Sequence, residues 1–115
     1  MRSTEISFKI ELDDHNFPEK IIWKASDADN LPKESKAISL NVWDHEQLNT
    51  LRIDLWSKDM RVDDMKKFFI DCLGGLAQTI LNSTGDSYIS NEVNSLCDRL
   101  AKHVSQENQN PPATE

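Results

Sequence analysis

Residues Val62–Asp86 read VDDMKKFFIDCLGGLAQTILNSTGD. Within them Met65, Phe68, Phe69, Cys72, Leu73, Leu76, Ala77, Ile80 and Leu81 recur at steps alternating between three and one. That is the period of one face of an α-helix, and it is the strongest structural signal in the chain. Asp59 offers an N-cap, Asp63 and Asp64 suit the positive end of the helix dipole, and Gly85 suits the residue just past the end. Gly74 and Gly75 fall inside the stripe, where each glycine costs about 1 kcal/mol relative to alanine. Two explanations stand: close approach of another element, or a kink that shapes a groove.

Downstream, a second helix is expected from Asp86 or Ser87. Its stripe is Ile89, Val93, Leu96, Cys97, Leu100, Ala101 and Val104, with Lys102 and His103 in its last turn. The remainder, Ser105–Glu115 (SQENQNPPATE), has two prolines and no apolar periodicity, and reads as a disordered tail.

Upstream, the period changes to two. Ile6, Phe8, Ile10 and Leu12 alternate with Ser7, Lys9 and Glu11. Ile21, Trp23 and Ala25 form a second alternating run, beyond a connection marked by Pro18. The segment Ser26–Ser35 (SDADNLPKES) is a loop by composition. A third run, Lys36–Trp43, sets Ile38, Leu40 and Val42 on one face and Ser39, Asn41 and Trp43 on the other. A fourth, Thr50–Trp56, sets Leu51, Ile53 and Leu55 against Arg52, Asp54 and Trp56. The last two runs read as a hairpin closed by the polar Asp44–Asn49. Strands first and helices after point to an α+β fold. The expectation is one four-stranded, meander-like antiparallel sheet, with the two C-terminal helices packed on its apolar face. Residues 1–104 would form a single domain and residues 105–115 its tail.

Composition bounds the function. The chain has 115 residues, 37% hydrophobic and 29% charged, with eight aromatics. Its mean hydropathy is -0.61. One domain of this size can bury a real core without disulfides or metal. Thirteen Lys+Arg against 20 Asp+Glu give a net charge of -7. Such a chain lacks the basic face that nucleic acid requires, and it is not drawn to anionic lipid. No apolar stretch approaches the ~20 residues needed to cross a bilayer. The opening MRSTEISFKIELDD is interrupted by Glu5, Lys9 and Glu11, so it does not read as a secretory signal, and a cytoplasmic location is expected. Cys72 and Cys97 lie on the helical stripes and read as two core thiols rather than a disulfide.

Motifs that would carry chemistry are few. There is no GxSxG elbow, no HExxH and no CxxC. Cys72 sits among Phe68, Phe69, Leu73 and Leu76, which suits packing rather than catalysis. Asp44-His45-Glu46 gathers three potential ligands in a turn, and a solvated hairpin loop competes with a metal-dependent site there. Asp27, Asp29 and Asn30 start like a calcium loop that Leu31 and Pro32 interrupt. Neither a cofactor nor a metal is expected.

Trp43 and Trp56 are more informative, because both fall on the polar face of their hairpin. Either they form a cross-strand aromatic pair that shields the hairpin, or they are a protein-contact surface. Arg52 and Asp54 would rim such a surface, so Trp43, Arg52, Asp54 and Trp56 are its candidate residues. The same face points to a homodimer.

Two strings carry a resemblance: Val42–Met60, VWDHEQLNTLRIDLWSKDM, and Val62–Asp86 as quoted above. With EISFKIELD, PEKIIWKASD and Asn94–Cys97 (NSLC), they make the chain similar to the gliding-motility protein C family, GldC, of the Bacteroidota, over roughly residues 4 to 104. The resemblance implies a small accessory protein of the cytoplasm that supports gliding over surfaces, with machinery shared with type IX secretion. It brings no catalytic or ligand residues. Its partners would be proteins of that motility or secretion machinery, with no nucleic acid and no insertion into the membrane. Element order alone, four strands and then two helices, resembles the export chaperone SecB. The leading expectation is thus a non-enzymatic protein acting through protein contacts. A chaperone-like or targeting module for secretion substrates is the runner-up, and an enzyme built on Asp44, His45 and Glu46 is the third reading.

Overall fold

The computed structural model describes residues 1–109 of the chain. Its elements are β1 (Ile6–Leu12), β2 (Pro18–Ala25), β3 (Lys33–Ser35), β4 (Ala37–Asp44), β5 (Asn49–Trp56), α1 (Val62–Thr84) and α2 (Ser87–Gln109). They fall into two compact units, the strands up to Met60 and the helices from Arg61.

The α+β class stands, but the single four-stranded sheet does not. The strands form a three-stranded sheet, β1-β2-β3, and a separate two-stranded sheet, β4-β5. The reason is β3. Its residues Lys33, Glu34 and Ser35 pair with Trp23, Ile22 and Ile21, and so occupy the edge of β2 that β4 would have used. This strand lies inside the stretch read as loop. It contains no apolar residue, so no alternation could reveal it.

β2 is the central strand. Ile21 pairs with Ile10 on one side and Ser35 on the other, and it is wholly buried. The β1–β2 connection is held by one carboxylate. Asp13 Oδ1 accepts the backbone N–H of His15 at 2.8 Å and of Phe17 at 3.0 Å, and Asn16 turns the chain with φ 65°. This turn leaves the Phe17 ring exposed.

In the second sheet Ile38, Leu40 and Val42 face Leu55, Ile53 and Leu51 across the ladder. Alternation places all six on one face. Within the strand unit, Leu40, Val42, Leu51 and Ile53 of that face are exposed.

Helix α1 begins one turn earlier than its apolar stripe. The expected cap, Asp59, is engaged elsewhere: its carboxylate accepts hydrogen bonds from Ser57 Oγ at 2.6 Å and Lys36 Nζ at 3.0 Å. Arg61 precedes the helix in extended conformation and makes no side-chain cap. The other end behaves as expected. Gly85 is left-handed, φ 73°, and its N–H reaches Leu81 O at 2.9 Å. Asp86 then caps α2 through Ile89 N at 3.1 Å.

The helices pack as a hairpin around two small residues. Ala77 and Ser90 are buried, and Ser90 Oγ donates to Ala77 O at 2.8 Å. Cys97 Sγ lies 3.9 Å from Ile70 O, and no disulfide joins it to Cys72. A methyl group added to Gly74 or Gly75 would meet nothing within 4 Å, so close approach does not explain those glycines. Helix α2 runs on to Gln109, through five residues (Ser105–Gln109) of the expected tail. The rest of that tail, residues 110–115, lies outside the described residues.

Candidate functional site

The four candidate residues share a face of the β4–β5 ladder, but they do not form one patch. Trp56 pairs with Ala37 at one end, whereas Trp43 pairs with Thr50 near the other. Six residues of strand separate these rungs, roughly 20 Å. The cross-strand tryptophan pair is therefore absent, since each ring stands over a small partner. Both rings are exposed, Trp43 at 65% and Trp56 at 52%.

Between them lies a polar centre. Asp54 Oδ1 accepts the Ser39 hydroxyl at 2.7 Å, and Arg52 Nη2 donates to both oxygens of Asp54 at 3.2 and 3.1 Å. The Ser39 hydrogen bond first, and Arg52 second, hold the Asp54 carboxyl below its ordinary value. A carboxylate so engaged stays charged and fixed.

Trp56 belongs to a different constellation. With Phe17, Pro18, Asp54, Leu55 and Lys58 it lines an open, mostly apolar cleft of about 300 Å³. Local chemistry builds this cleft from two distant segments. The Asp13-held turn presents Phe17, and alternation along β5 presents Trp56. The segment after β5 is tied back to β2 by Lys58 N, which donates to Pro18 O at 3.1 Å, and to the link between β3 and β4 by Ser57 N, which donates to Lys36 O at 2.8 Å. Lys58 Nζ then reaches Asp13 at 3.1 Å and Glu19 at 3.6 Å. The Asp13 hydrogen bond is the main reason the Lys58 ammonium is held above its ordinary value. The cleft thus has an aromatic floor and fixed charges of both signs at its rim.

The structure therefore brings Asp54 and Trp56 to one cleft, links Arg52 to it through Asp54, and leaves Trp43 apart. Phe17, Pro18, Leu55 and Lys58 were missed. The one available signal was Phe17 itself, a large aromatic in a polar connection directly before a proline. At the third candidate, Asp44 Oδ2 accepts Gln47 N at 2.5 Å, and His45 and Glu46 are exposed. Among the described residues no group of three or more His, Cys, Asp or Glu could hold a metal ion. No helix is long and apolar enough to cross a membrane, again among the described residues.

An apolar aromatic cleft with paired charges around it has the chemistry of a surface that receives another side chain. A family model described as gliding motility-associated protein GldC-like matches residues 18–106, and the chain belongs to that family. The match takes in β2 to β5 and both helices up to Gln106, including every cleft residue except Phe17. No curated protein and no solved structure gives a match.

Proposed function

We propose that this chain is a non-enzymatic accessory protein of the cytoplasm, acting through protein–protein contacts in support of the gliding and type IX secretion machinery. The observation that carries the reading is the cleft: Trp56 and Phe17 stand exposed beside Leu55 and Pro18, with Lys58 and Asp54 fixed at the rim. Tryptophan in a pocket of this kind is the residue type that most often anchors a protein interface. Family membership supplies the biological setting.

The test is complementation of a deletion strain in a gliding host. Wild-type chain should restore spreading. Trp56→Ala combined with Phe17→Ala should not, and the same variant should recover fewer co-purified partner proteins. Trp43→Ala, about 20 Å away along the ladder, should complement. Full spreading by the Trp56/Phe17 variant at normal protein levels would sink the cleft reading. Unimpaired spreading of the deletion strain would sink the gliding role.

A second reading, a chaperone-like module for secretion substrates, is favoured by one further observation. The β4–β5 ladder exposes Leu40, Val42, Leu51 and Ile53 on one face, a surface suited to extended apolar segments. It predicts that purified chain suppresses aggregation of an unfolded client. No effect at stoichiometric excess would dismiss it.

A further inference from the structure

Among the described residues β1 pairs with β2 and with no other strand, so one of its edges is open. One hydrogen bond tells the two edges apart. Ser26 N donates to Glu5 O at 2.9 Å, which makes Glu5 and Ser26 a hydrogen-bonded rung just before β1. Such rungs alternate along an antiparallel pair. Ser7, Lys9 and Glu11 therefore turn their backbone groups to β2, and Ile6, Phe8, Ile10 and Leu12 turn theirs to the open edge. Asp13 N donates to Phe17 O at 2.9 Å, which keeps this parity past the register shift between Glu11 and Leu12. Glu11 pairs with Lys20 and Leu12 with Pro18, so the extra residue at the shift, Glu19, belongs to β2. The open strand itself stays regular.

An open edge is a template for another strand unless proline, a bulge or charge guards it. β1 has no proline, and its charges are of opposite sign: Lys9 Nζ and Glu11 Oε1 lie 4.0 Å apart on one face. On the other face Phe8 and Leu12 are 39% and 52% exposed. Open backbone groups must meet open ones, so a twofold pairing of β1 with itself sets even residues against even residues and has few registers. Centred on Lys9, it opposes two ammonium groups. Centred on Glu11, it opposes two carboxylates. Centred on Phe8, it sets Lys9 against Ser7 and matches no charge. Centred on Ile10, it sets Lys9 against the partner's Glu11 and Glu11 against the partner's Lys9. Those two rungs are of the kind that brings side chains closest. In the same register Phe8 faces the partner's Leu12, and Ile10 faces its own copy.

We propose that two copies of this chain pair antiparallel through β1, in the register centred on Ile10, so that two three-stranded sheets become one continuous sheet. Charge complementarity favours a second copy over a foreign strand. A strand that fits this edge must bring an acid opposite Lys9, a base opposite Glu11 and apolar residues opposite Phe8, Ile10 and Leu12. β1 read in the opposite direction is such a strand. Its charges are not already matched in the same way within the chain: across the β1–β2 ladder Lys9 stands opposite Ile22, and Glu11 opposite Lys20. In the paired state Lys9 gains a carboxylate on its open side, and Glu11 lies between Lys20 and the partner's Lys9. The chain as a whole carries a net charge of -7, so an edge where opposite signs meet is where two copies approach with least repulsion. The twofold axis makes every favourable pair occur twice, with no second patch needed elsewhere on the chain. The backbone groups of Phe8, Ile10 and Leu12 then exchange hydrogen bonds with those of the partner instead of with water.

Sedimentation velocity of the full chain over a dilution series tests this. A dimer is expected at micromolar concentration. Lys9→Glu alone should weaken it by about 10-fold or more, and so should Glu11→Lys alone, because each turns two attractions into two repulsions. An equimolar mixture of the two variants should recover the wild-type affinity, since their charges match between unlike chains. A strand that was merely damaged could not recover in this way. Amide hydrogen exchange of the wild type reads the same edge without any substitution. The N–H groups of Phe8, Ile10 and Leu12 should be protected in the dimer and fast in dilute monomer, while that of Lys9, bonded to β2, is protected in both. If either variant fails to fold, this measurement carries the test. Trp56→Ala should leave the dimer intact, so failure here and failure of the cleft reading are separable. A wild-type chain that stays monomeric at about 100 µM overturns the proposal. So does a dimer in which those three amides exchange as fast as in the monomer, a folded single variant that associates as tightly as the wild type, or a mixture of folded variants that associates no better than either alone.

Discussion

The three-stranded sheet and the helical hairpin solve one problem in opposite ways. Among the described residues each has a single apolar side chain wholly out of water: Ile21 in the sheet and Ala77 in the hairpin. In the sheet, neighbouring strands lie about 4.8 Å apart whatever their side chains, which stand perpendicular to it. A large residue on the central strand therefore fills the space above its neighbours. Between helices, the side chains themselves set the separation, so a small residue is what permits close approach. Ser90 shows how close, because its hydroxyl reaches the Ala77 carbonyl across the seam. Core positions in the two units thus tolerate opposite changes in volume.

The sharpest way to break this comparison is to exchange the two kinds of residue. Ile21→Ala should cost about 2–5 kcal/mol, because the central strand has neighbours on both edges and cannot collapse into the gap. Ala77→Leu should cost about 1–3 kcal/mol by the reverse mechanism, pushing α2 off Ala77 and breaking the Ser90 hydrogen bond. Urea unfolding followed by tryptophan fluorescence and by helical circular dichroism checks both. All three tryptophans lie in the strand unit, so fluorescence reports that unit and circular dichroism mainly the helices. If Ala77→Leu were neutral and Ile21→Leu severe, the rule would be wrong for this chain.

The same contrast explains what could be read in advance. An α-helix satisfies its backbone within a local window, so period and caps suffice. The Met65–Leu81 stripe, Gly85 and the Asp86 start were legible for that reason. A strand's partner is chosen from anywhere in the chain. The alternation in β4 and β5 located both strands, but nothing local said that Lys33–Ser35 would take the edge of β2. The site suffered in the same way. Trp56 was visible as an aromatic on the polar face of its strand, and Asp54 as its polar neighbour on that face. Phe17 joins them only because an Asp13-held turn and a Lys58–Pro18 hydrogen bond bring two distant segments together. Trp43 and Trp56 looked like a pair because they share a face. Register, which sequence does not print, sets them at opposite ends.

A smaller effect sharpens the helical side. Gly74 and Gly75 lie inside α1, and an added methyl meets nothing within 4 Å at either. Gly75→Ala should therefore stabilise the chain by about 0.5–1 kcal/mol through backbone entropy and helix propensity. Gly74→Ala should do the same. A loss of stability at Gly75 would mean that something approaches this helix face after all.

The smallest effect belongs to the strand side and is read against pH. Asp13 accepts the N–H groups of Phe17 and His15 and faces Lys58 Nζ at 3.1 Å. The Phe17 hydrogen bond is the largest reason its carboxyl lies below the ordinary value of 3.8, with His15 next and Lys58 contributing less. A group whose pKa falls on folding stabilises the fold above its unfolded value, and that stabilisation is lost as pH drops through the folded one. The contribution is therefore complete near neutrality and fades only below about pH 4. Asp13→Asn keeps an oxygen for the backbone N–H groups but cannot titrate or pair with Lys58. It should lower stability at pH 7 by a modest amount, since ion pairs to an exposed lysine are weak. The two stability curves should then converge as the pH falls from 4 to 2. Curves that stay parallel through that window would show that Asp13 acts through turn geometry alone. In that case the presentation of Phe17 at the cleft would be insensitive to acid, whereas a converging pair ties the cleft's first wall to one carboxylate.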